Sequence, residues 1–586
     1  MNKKNILIWG IPFVIGAIAT IIIEKYAYPN VLFVIKRGTI NFAFISLSVG
    51  FIEFIIFNYK NISFWNYIKC VFSFIIIGIA AIQNKNALLY YFGFMEVVLI
   101  FAISSLISNK SKKIGYVVNS FLLLMFNIQV CILIFGGTFV KRIMITNLIS
   151  IEDLAGKATV YISSAITVVI VSFLLFKGEF LNAKYGLCCT VFFIFLEVTM
   201  FILVGNEYSP AYGYLNLLKE EVIYRREREY IREANVDKSA FYKEMVENYM
   251  DSNHGLGEKP NIILILTEGL SQNIVLDDRN IMPNIKEYEK KSINFTGYFN
   301  HTFATYKGII GQLYSGFQHD DLDSNTLISI QSILKDNGYD TIFINTEPHN
   351  RYFSKYIKNF GFDKVESGRR CSGISRTMSD REAYGELRTQ LKKLKKSDKP
   401  FFICMYSFGT HISLDSSDEV YGDGETPMLN KFYDVDYQFG KFIKEFESSE
   451  LFNNTIFALS ADHCTYKDKE YLESFGNVHP RSHPTIDEIP FFIYHKGVKH
   501  ADVEVNGLNS LCLVPTILDY VDISGPNYFL GDSLFAGEQG KSEFKYVYQS
   551  DVDYCTTCNK EISGNDKGVD EEMKKRINEY FSICTK

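Results

Sequence analysis

Four residues whose side chains suit phosphoryl chemistry follow closely on apolar runs or open one. Glu268 follows Ile262–Leu266, in the stretch Thr267-Glu268-Gly269. A short β-favouring run that ends at an acid reads as a buried strand of a parallel sheet. The carboxyl ends of such strands are where open α/β sheets bind ligands. Thr305 lies in FNHTFATYKGIIGQLYSG, with Ile309, Ile310, Leu313 and Phe317 recurring after it at roughly helical spacing. That pattern puts Thr305 at a helix start, where unpaired N–H groups and the positive end of the helix dipole favour a phosphate or an alkoxide. A second apolar run, Ile456–Leu459, delivers Asp462 and His463 to another strand end. Together these residues form an oxygen-rich set with one imidazole, which suits a borderline divalent ion, Zn²⁺ or Mn²⁺. A threonine hydroxyl needs activation to attack phosphorus, and coordination to a metal supplies it.

The elements that must hold these residues alternate. Helices are expected over Pro283–Lys291, from Thr305, and over Thr326–Asn337, Asp380–Lys395, Tyr433–Ser448 and Val514–Tyr520. Strands are expected at Ile262–Leu266, Thr341–Asn345, Phe401–Tyr406, Ile456–Leu459 and Ile489–Tyr494. Strand–helix alternation implies a parallel sheet covered on both faces. His411, in Phe408-Gly409-Thr410-His411, also emerges just after a strand, where it could bond a phosphoryl oxygen or protonate a leaving group. A later loop, Asn477–His483, carries His479, Arg481 and His483. Arg481 is a possible phosphate partner or a solvated loop residue, and Lys307 reads as a helix-surface lysine.

Composition divides the chain. At 586 residues it should hold several domains. Its hydrophobic fraction of 47% is high for a soluble enzyme, and the excess lies in the first 205 residues. A net charge of −6 gives no reason to expect nucleic-acid binding. Apolar stretches occur at Asn5–Ile23, Thr39–Phe57, Phe64–Ile82, Leu88–Ile107, Ile114–Phe135, Val160–Phe176 and Tyr185–Gly205. Most are long enough to cross a core of about 30 Å. No small-residue cleavage pattern follows the first, so it reads as a span and not a signal peptide. The loop lysines and arginines give only a weak orientation bias. Glu53, Glu96 and Glu197 fall inside spans, where they read as bundle-facing acids paired with a neighbouring Tyr, Asn or Lys, or else as a polar path or lipid-headgroup contact. Residues 206–253 are strongly charged, with an aromatic side formed by Tyr224, Tyr230, Ile231, Phe241 and Tyr242. They read as a linker helix packed on the next domain, or as one lying at a membrane surface.

From about Lys259 to Phe535 the chain resembles the membrane-anchored, sulfatase-fold transferases of the alkaline phosphatase superfamily. That group includes lipoteichoic acid synthases and phosphoethanolamine transferases. The Asp462-His463 pair after a strand and the strand-end Glu268 carry the resemblance, and Thr305 matches the nucleophile, with Thr302 as its rival. The resemblance implies a multi-span α-helical membrane domain (residues 1–205, five to seven helices) and linker or interfacial helices (206–258). A sulfatase-like α/β catalytic domain with a mostly parallel central sheet follows (259–540), then a C-terminal extension (541–586). It implies metal binding by Glu268, Thr305, Asp462 and His463, and substrate contacts by His411 and His479. The implied reaction moves phosphoglycerol or phosphoethanolamine from a phospholipid donor to a lipid or glycan acceptor of the cell envelope, through a phosphothreonine. The implied location is the bacterial inner membrane, multi-pass, with the catalytic domain outside the cytoplasm. A membrane-anchored phosphodiesterase or sulfuric ester hydrolase would share the fold, but the C/S-x-P-x-R motif of true sulfatases is missing near Thr305. In such a compartment Cys555 and Cys558 would form a disulfide, the alternatives being half of a zinc site or two free thiols.

Overall fold

The computed structural model describes residues 12, 14–19, 40–47, 49–50, 62–146, 158–178, 183–233, 236–250, 254–318, 325–368, 370–372, 376–412, 414–476, 478–563 and 568–584. The chain forms two compact units, Met1–Leu148 with Ala158–Glu220, and Ile149–Lys157 with Glu221–Lys586.

The first unit is helical, with α1 (Phe64–Gln83), α2 (Ala87–Ser108), α3 (Lys112–Gly136), α4 (Ala158–Ser172) and α5 (Ala183–Val204). Side-chain oxygens of Asn86 and Ser111 cap the starts of α2 and α3, and Gly137 at φ 70° ends α3 in the left-handed conformation that glycine adopts freely. Among the described residues four helices are long and apolar enough to cross a membrane: α1, α2, α3 and Gly186–Val204 of α5. The stretch expected at Val160–Phe176 gives a helix of 15 residues, which rises only about 22 Å. The spans expected at Asn5–Ile23 and Thr39–Phe57 lie largely outside the described residues, as does Glu53.

Polarity in this unit is turned inward. Ile75, Ile79 and Ile82 of α1 are exposed, whereas Lys69 is buried and donates to Asn119 Oδ1 at 2.9 Å. Ser73 bonds Asn127, which in turn bonds Ser172, linking α1, α3 and α4. Glu96 is buried and accepts from the Ser209 hydroxyl (2.6 Å) and the Ala211 N–H (3.0 Å). It therefore satisfies the start of helix α6 (Pro210–Glu233), where the dipole favours a carboxylate.

The second unit is built on β1 (Asn261–Thr267), β2 (Ile293–Thr296), β3 (Asp340–Ile344), β4 (Lys364–Glu366), β5 (Phe401–Ser407), β6 (Thr455–Ala461), β7 (Phe491–Tyr494) and β8 (Ala501–Glu504). They form one sheet in the order β4-β3-β5-β1-β6-β7-β2-β8. All neighbours run parallel except β7, which is antiparallel to both β6 and β2. β1 is central and every residue from Ile262 to Leu266 is fully buried, as a strand covered on both faces requires. In register, Thr267 lies beside Ser407 of β5 and Ala461 of β6. The residues that follow these three strands therefore emerge together at one edge.

Helices α7 (Pro283–Glu289), α8 (Thr305–Leu313), α9 (Asp380–Leu394) and α10 (Pro427–Glu447) are among those that pack this unit. α9 opens with a reciprocal Ser379/Glu382 capping box. The buried Asp436 of α10 accepts from the Asn284 and Ile285 N–H groups, closing the start of α7 from a distant part of the chain. Beyond residue 540, the hairpin β9 (Val547–Ser550) and β10 (Asp553–Thr556) and helix α11 (Glu571–Ile583) place Val547, Tyr554, Ile577 and Tyr580 in the main core. The expected Cys555–Cys558 disulfide is not formed. Neither cysteine is in a disulfide; Cys555 is buried beside Phe299, Ile486 and Tyr548, and Cys558 is exposed.

Candidate active site

Glu268 leaves the end of β1, and Asp462 and His463 leave the end of β6. Each of the three offers one ligand atom within 4.8 Å of the others. The turn after β1 is made by Gly269 at φ 51°, and its N–H donates to Asp462 Oδ1 at 2.8 Å. The His463 N–H donates to the same oxygen at 2.7 Å. Asp462 Oδ2, fully buried, has no hydrogen-bond partner among the described residues. His463 Nδ1 lies 2.7 Å from the Cys464 carbonyl. That contact fixes the tautomer, so Nε2 faces the carboxylates, 3.3 Å from Glu268 Oε1 and 3.6 Å from Asp462 Oδ2.

The charges of the three groups depend on one another. Burial opposes ionisation of Glu268, yet His463, His411 and Thr305 together hold its carboxyl below the usual range. Burial and the Glu268 charge push Asp462 well up. Burial also opposes charging of His463, but the two carboxylates raise it to about 9. Two acids around an orphaned oxygen and an imidazole whose other nitrogen is tied form a donor set that fits a divalent ion.

Thr305 completes the group. It is the first residue of α8, half-buried, and its hydroxyl donates to Glu268 Oε2 at 2.9 Å. Ala304, just before it, has φ 86° and ψ 141°, a region alanine rarely occupies and one that costs about 1–3 kcal/mol. The rival Thr302 is committed elsewhere, buried and donating to the Gln549 carbonyl at 2.7 Å.

The other sequence-predicted residues divide. His411, half-buried after β5, belongs to the same electrostatic group as Glu268 and His463. Desolvation lowers its pKa, so the ring is neutral at pH 7. Nδ1 lies 3.1 Å from the Ile412 carbonyl, which leaves Nε2 as the lone-pair nitrogen. His479 is not brought to this cluster by any described contact; its Nε2 lies 3.3 Å from the buried Asp277, which also holds Arg279. Arg481 is neither a solvated loop residue nor a free phosphate ligand. It is buried and donates to the Thr465 carbonyl and Cys464 Sγ, and it pairs with Asp487 at 3.2 Å. Lys307 is buried as well, not a surface lysine, and pairs with Asp551 at 3.2 Å.

Several supporting residues carry no sequence signal of their own. The Thr410 hydroxyl donates to the Glu268 carbonyl, and the buried Lys431 donates to the His411 carbonyl at 3.1 Å. Phe303 lies against His463 and Tyr466, with ring centroids 4.6 and 5.5 Å away. From the C-terminal hairpin, Gln549 bonds the His301 carbonyl through its N–H and Thr302 through its C=O, while Asp551 holds Lys307. The hairpin thus grips the chain on both sides of Thr305.

Residues 260–523 match the Sulfatase family. Three similar solved structures bracket the likeness. A protein in the alkaline phosphatase superfamily from Vibrio parahaemolyticus is 20% identical over 61% of this chain and 94% of that one, TM-score 0.47. The lipoteichoic acid synthase LtaP from Listeria monocytogenes is 16% identical over 58% and 93%, TM-score 0.46. The C-terminal periplasmic domain of EcEptC from Escherichia coli is 14% identical over 50% and 88%, TM-score 0.35.

Proposed function

We propose that this chain, whose C-terminal α/β unit carries a sulfatase domain of the alkaline phosphatase superfamily, is a membrane-held phosphotransferase. It takes the headgroup phosphate of a phospholipid, as phosphoglycerol or phosphoethanolamine, and passes it to a hydroxyl of a cell-envelope acceptor. The observation that carries this reading is the Thr305 hydroxyl at a helix start, 2.9 Å from the Glu268 carboxylate of the buried Glu268-Asp462-His463 cluster. The outward apolar faces of the helical unit support a chain that reaches its lipid donor within the bilayer; the reading puts the catalytic unit on the extracytoplasmic side.

Glu268, Asp462 and His463, with Thr305 Oγ1, would hold a divalent ion such as Zn²⁺ or Mn²⁺. When bound, it supplies charge neutralisation at the phosphoryl oxygens and lowers the pKa of the hydroxyl. The chain's own residues do the rest. Glu268 accepts the Thr305 O–H hydrogen bond and directs the oxygen lone pairs away from itself. Thr305 Oγ1 attacks phosphorus, the bond from phosphorus to the diacylglycerol oxygen breaks, and that oxygen takes up a proton equivalent to the one Thr305 released. The N-terminal N–H groups of α8 and the helix dipole stabilise the added negative charge. In the second half-reaction the acceptor hydroxyl attacks the phosphothreonine and Thr305 regains its proton, a ping-pong scheme. The neutral His411, with its Nε2 lone pair available, is suited to take the proton of the acceptor hydroxyl.

The test is diacylglycerol release from phosphatidylglycerol and phosphatidylethanolamine by the full chain in detergent. Release should depend on Thr305 and persist in Thr302→Val. Release unchanged in Thr305→Ala would remove the nucleophile assignment. Turnover to free headgroup phosphate, with acceptor present and never labelled, would make the protein a hydrolase.

A further inference from the structure

The helical unit holds a cavity of about 360 Å³ at the end of the bundle where α1, α3 and α5 finish and α2 and α6 begin. Leu89, Leu133 and Phe139 give it an apolar floor. Its walls are polar, with Thr138, Lys141 and the amides of Asn84, Asn86 and Asn216 among them. That volume falls in the range of small-molecule sites, and an apolar floor under a few convergent polar groups is their usual composition.

Two of these polar groups stand unused. Lys141 has no hydrogen bond or ion pair among the described residues, and Thr138 Oγ1 is buried without a partner. The segment that presents them is pinned from within the bundle. Gln129, fully buried in α3, accepts the Val140 N–H at 2.9 Å, and Gly137 turns the chain at φ 70°. Gln129 Nε2 is a further buried donor without a partner. It lies beside Gly213, where an added Cβ would come within 2.9 Å of it, and Gly213 lines the cavity. An unpaired ammonium and a buried hydroxyl without a partner, both lining an apolar-floored cavity, match a phosphodiester more closely than a neutral sugar. The lining also includes Glu207 and Glu220, acceptors for the hydroxyl or ammonium of a headgroup; Glu220 already takes the Arg142 N–H at 2.9 Å. Exposed Val71, Ile75, Ile79 and Ile82 run along α1 towards Asn84 of the cavity wall, an apolar track on which an acyl chain can lie.

We propose that this cavity is a phospholipid headgroup site, separate from the Thr305 cluster. The phosphodiester is held by Lys141 and Thr138, the glycerol lies on the apolar floor, and the acyl chains lie along α1. The proposal concerns the helical unit alone, so it stands or falls independently of transfer at Thr305.

The experiment is native mass spectrometry of the full-length chain released from detergent micelles, offered phosphatidylglycerol, phosphatidylethanolamine or diacylglycerol, with glycerol 1-phosphate as the headgroup without chains. The expected result is retention of a phospholipid but not of diacylglycerol, lowered about tenfold or more in Lys141→Ala and several-fold in Thr138→Val. It should be unchanged in Lys113→Ala, an exposed lysine at the other end of α3. Glycerol 1-phosphate binding as tightly as lipid would replace the lipid site by a free-phosphate site. Equal retention by Lys141→Ala and Lys113→Ala, or retention of diacylglycerol, would mean lipid held nonspecifically around the bundle and would overturn the proposal. If Lys141→Ala is misfolded by size exclusion, Thr138→Val decides.

Discussion

Replacing Gly308 by alanine tests the close approach on which the position of Thr305, the proposed nucleophile, depends. Gly308 lies one turn into α8, where the helix passes over the backbone of Asp462. A Cβ at this position would stand 2.2 Å from the Asp462 carbonyl oxygen and 2.8 Å from its carbon. Comfortable carbon–oxygen separations begin near about 3.3 Å, so the helix or the end of β6 must move by about 1 Å. The obstacle is backbone, so no rotamer change relieves it. Overpacking of this kind costs about 1–3 kcal/mol, and a misplacement of about 1 Å between reacting groups costs about 10²-fold in rate. The expected outcome for Gly308→Ala is kcat lowered by about that factor, with KM for the lipid changed little. Stability should fall by no more than about 3 kcal/mol in urea denaturation of the full chain in detergent. Wild-type kcat in a folded Gly308→Ala protein would show that the spacing between α8 and Asp462 does not set the chemistry, and would refute the reasoning.

Asp551→Ala should break the buried Lys307 ion pair and destabilise the α/β unit by about 3 kcal/mol, whereas Lys307→Met with Asp551→Leu restores most of it; a double-mutant cycle by chemical denaturation checks this. Burial pushes Glu289 up to about 7. Its native pKa is above the unfolded value, so its contribution to stability is greatest below about pH 4.5 and is lost as pH rises through 7. Glu289→Gln should therefore raise stability at pH 8 by about 3 kcal/mol and flatten the pH dependence between 5 and 8. Ala304→Gly should relieve the positive-φ strain beside Thr305 and stabilise by about 1 kcal/mol or more, read as a shift in urea midpoint. Because neither Cys555 nor Cys558 is in a disulfide, reductant should leave the unfolding midpoint unchanged.

The site was legible in sequence because its parts are local signals. Each strand that delivers a candidate ligand is a continuous apolar run, and that residue comes within a few positions of its end, as with Glu268 after β1 and Asp462 after β6. Thr305 was legible as the start of a helical period. What was not legible depends on partners far away in the chain. Lys307 reads as a surface lysine from helix periodicity, and its ion pair with Asp551 comes from 244 residues on. Arg481 reads as a loop arginine until Thr465, Cys464 and Asp487 close around it. His479 was chosen by resemblance, and its contact with Asp277 has no local signature. The strands β2, β4 and β8 are three or four residues each, too short for a period-2 pattern to stand out. The antiparallel sense of β7 is set by the crossover and not by its own residues. Four of the expected spans appear as long apolar helices, and the inward turn of their acids follows from partners such as Ser209, which lies beyond the last span.

The central claim is a covalent phosphothreonine at Thr305. The direct measurement is peptide mapping by mass spectrometry of the full chain, loaded with divalent metal, incubated with phosphatidylglycerol or phosphatidylethanolamine without acceptor, and quenched in acid. A headgroup-phosphate adduct on the peptide containing Thr305, missing in Thr305→Ala and lost on adding an acceptor alcohol, is the predicted result. Diacylglycerol release at the wild-type rate with no adduct on that peptide, or an adduct on Thr302, would contradict it.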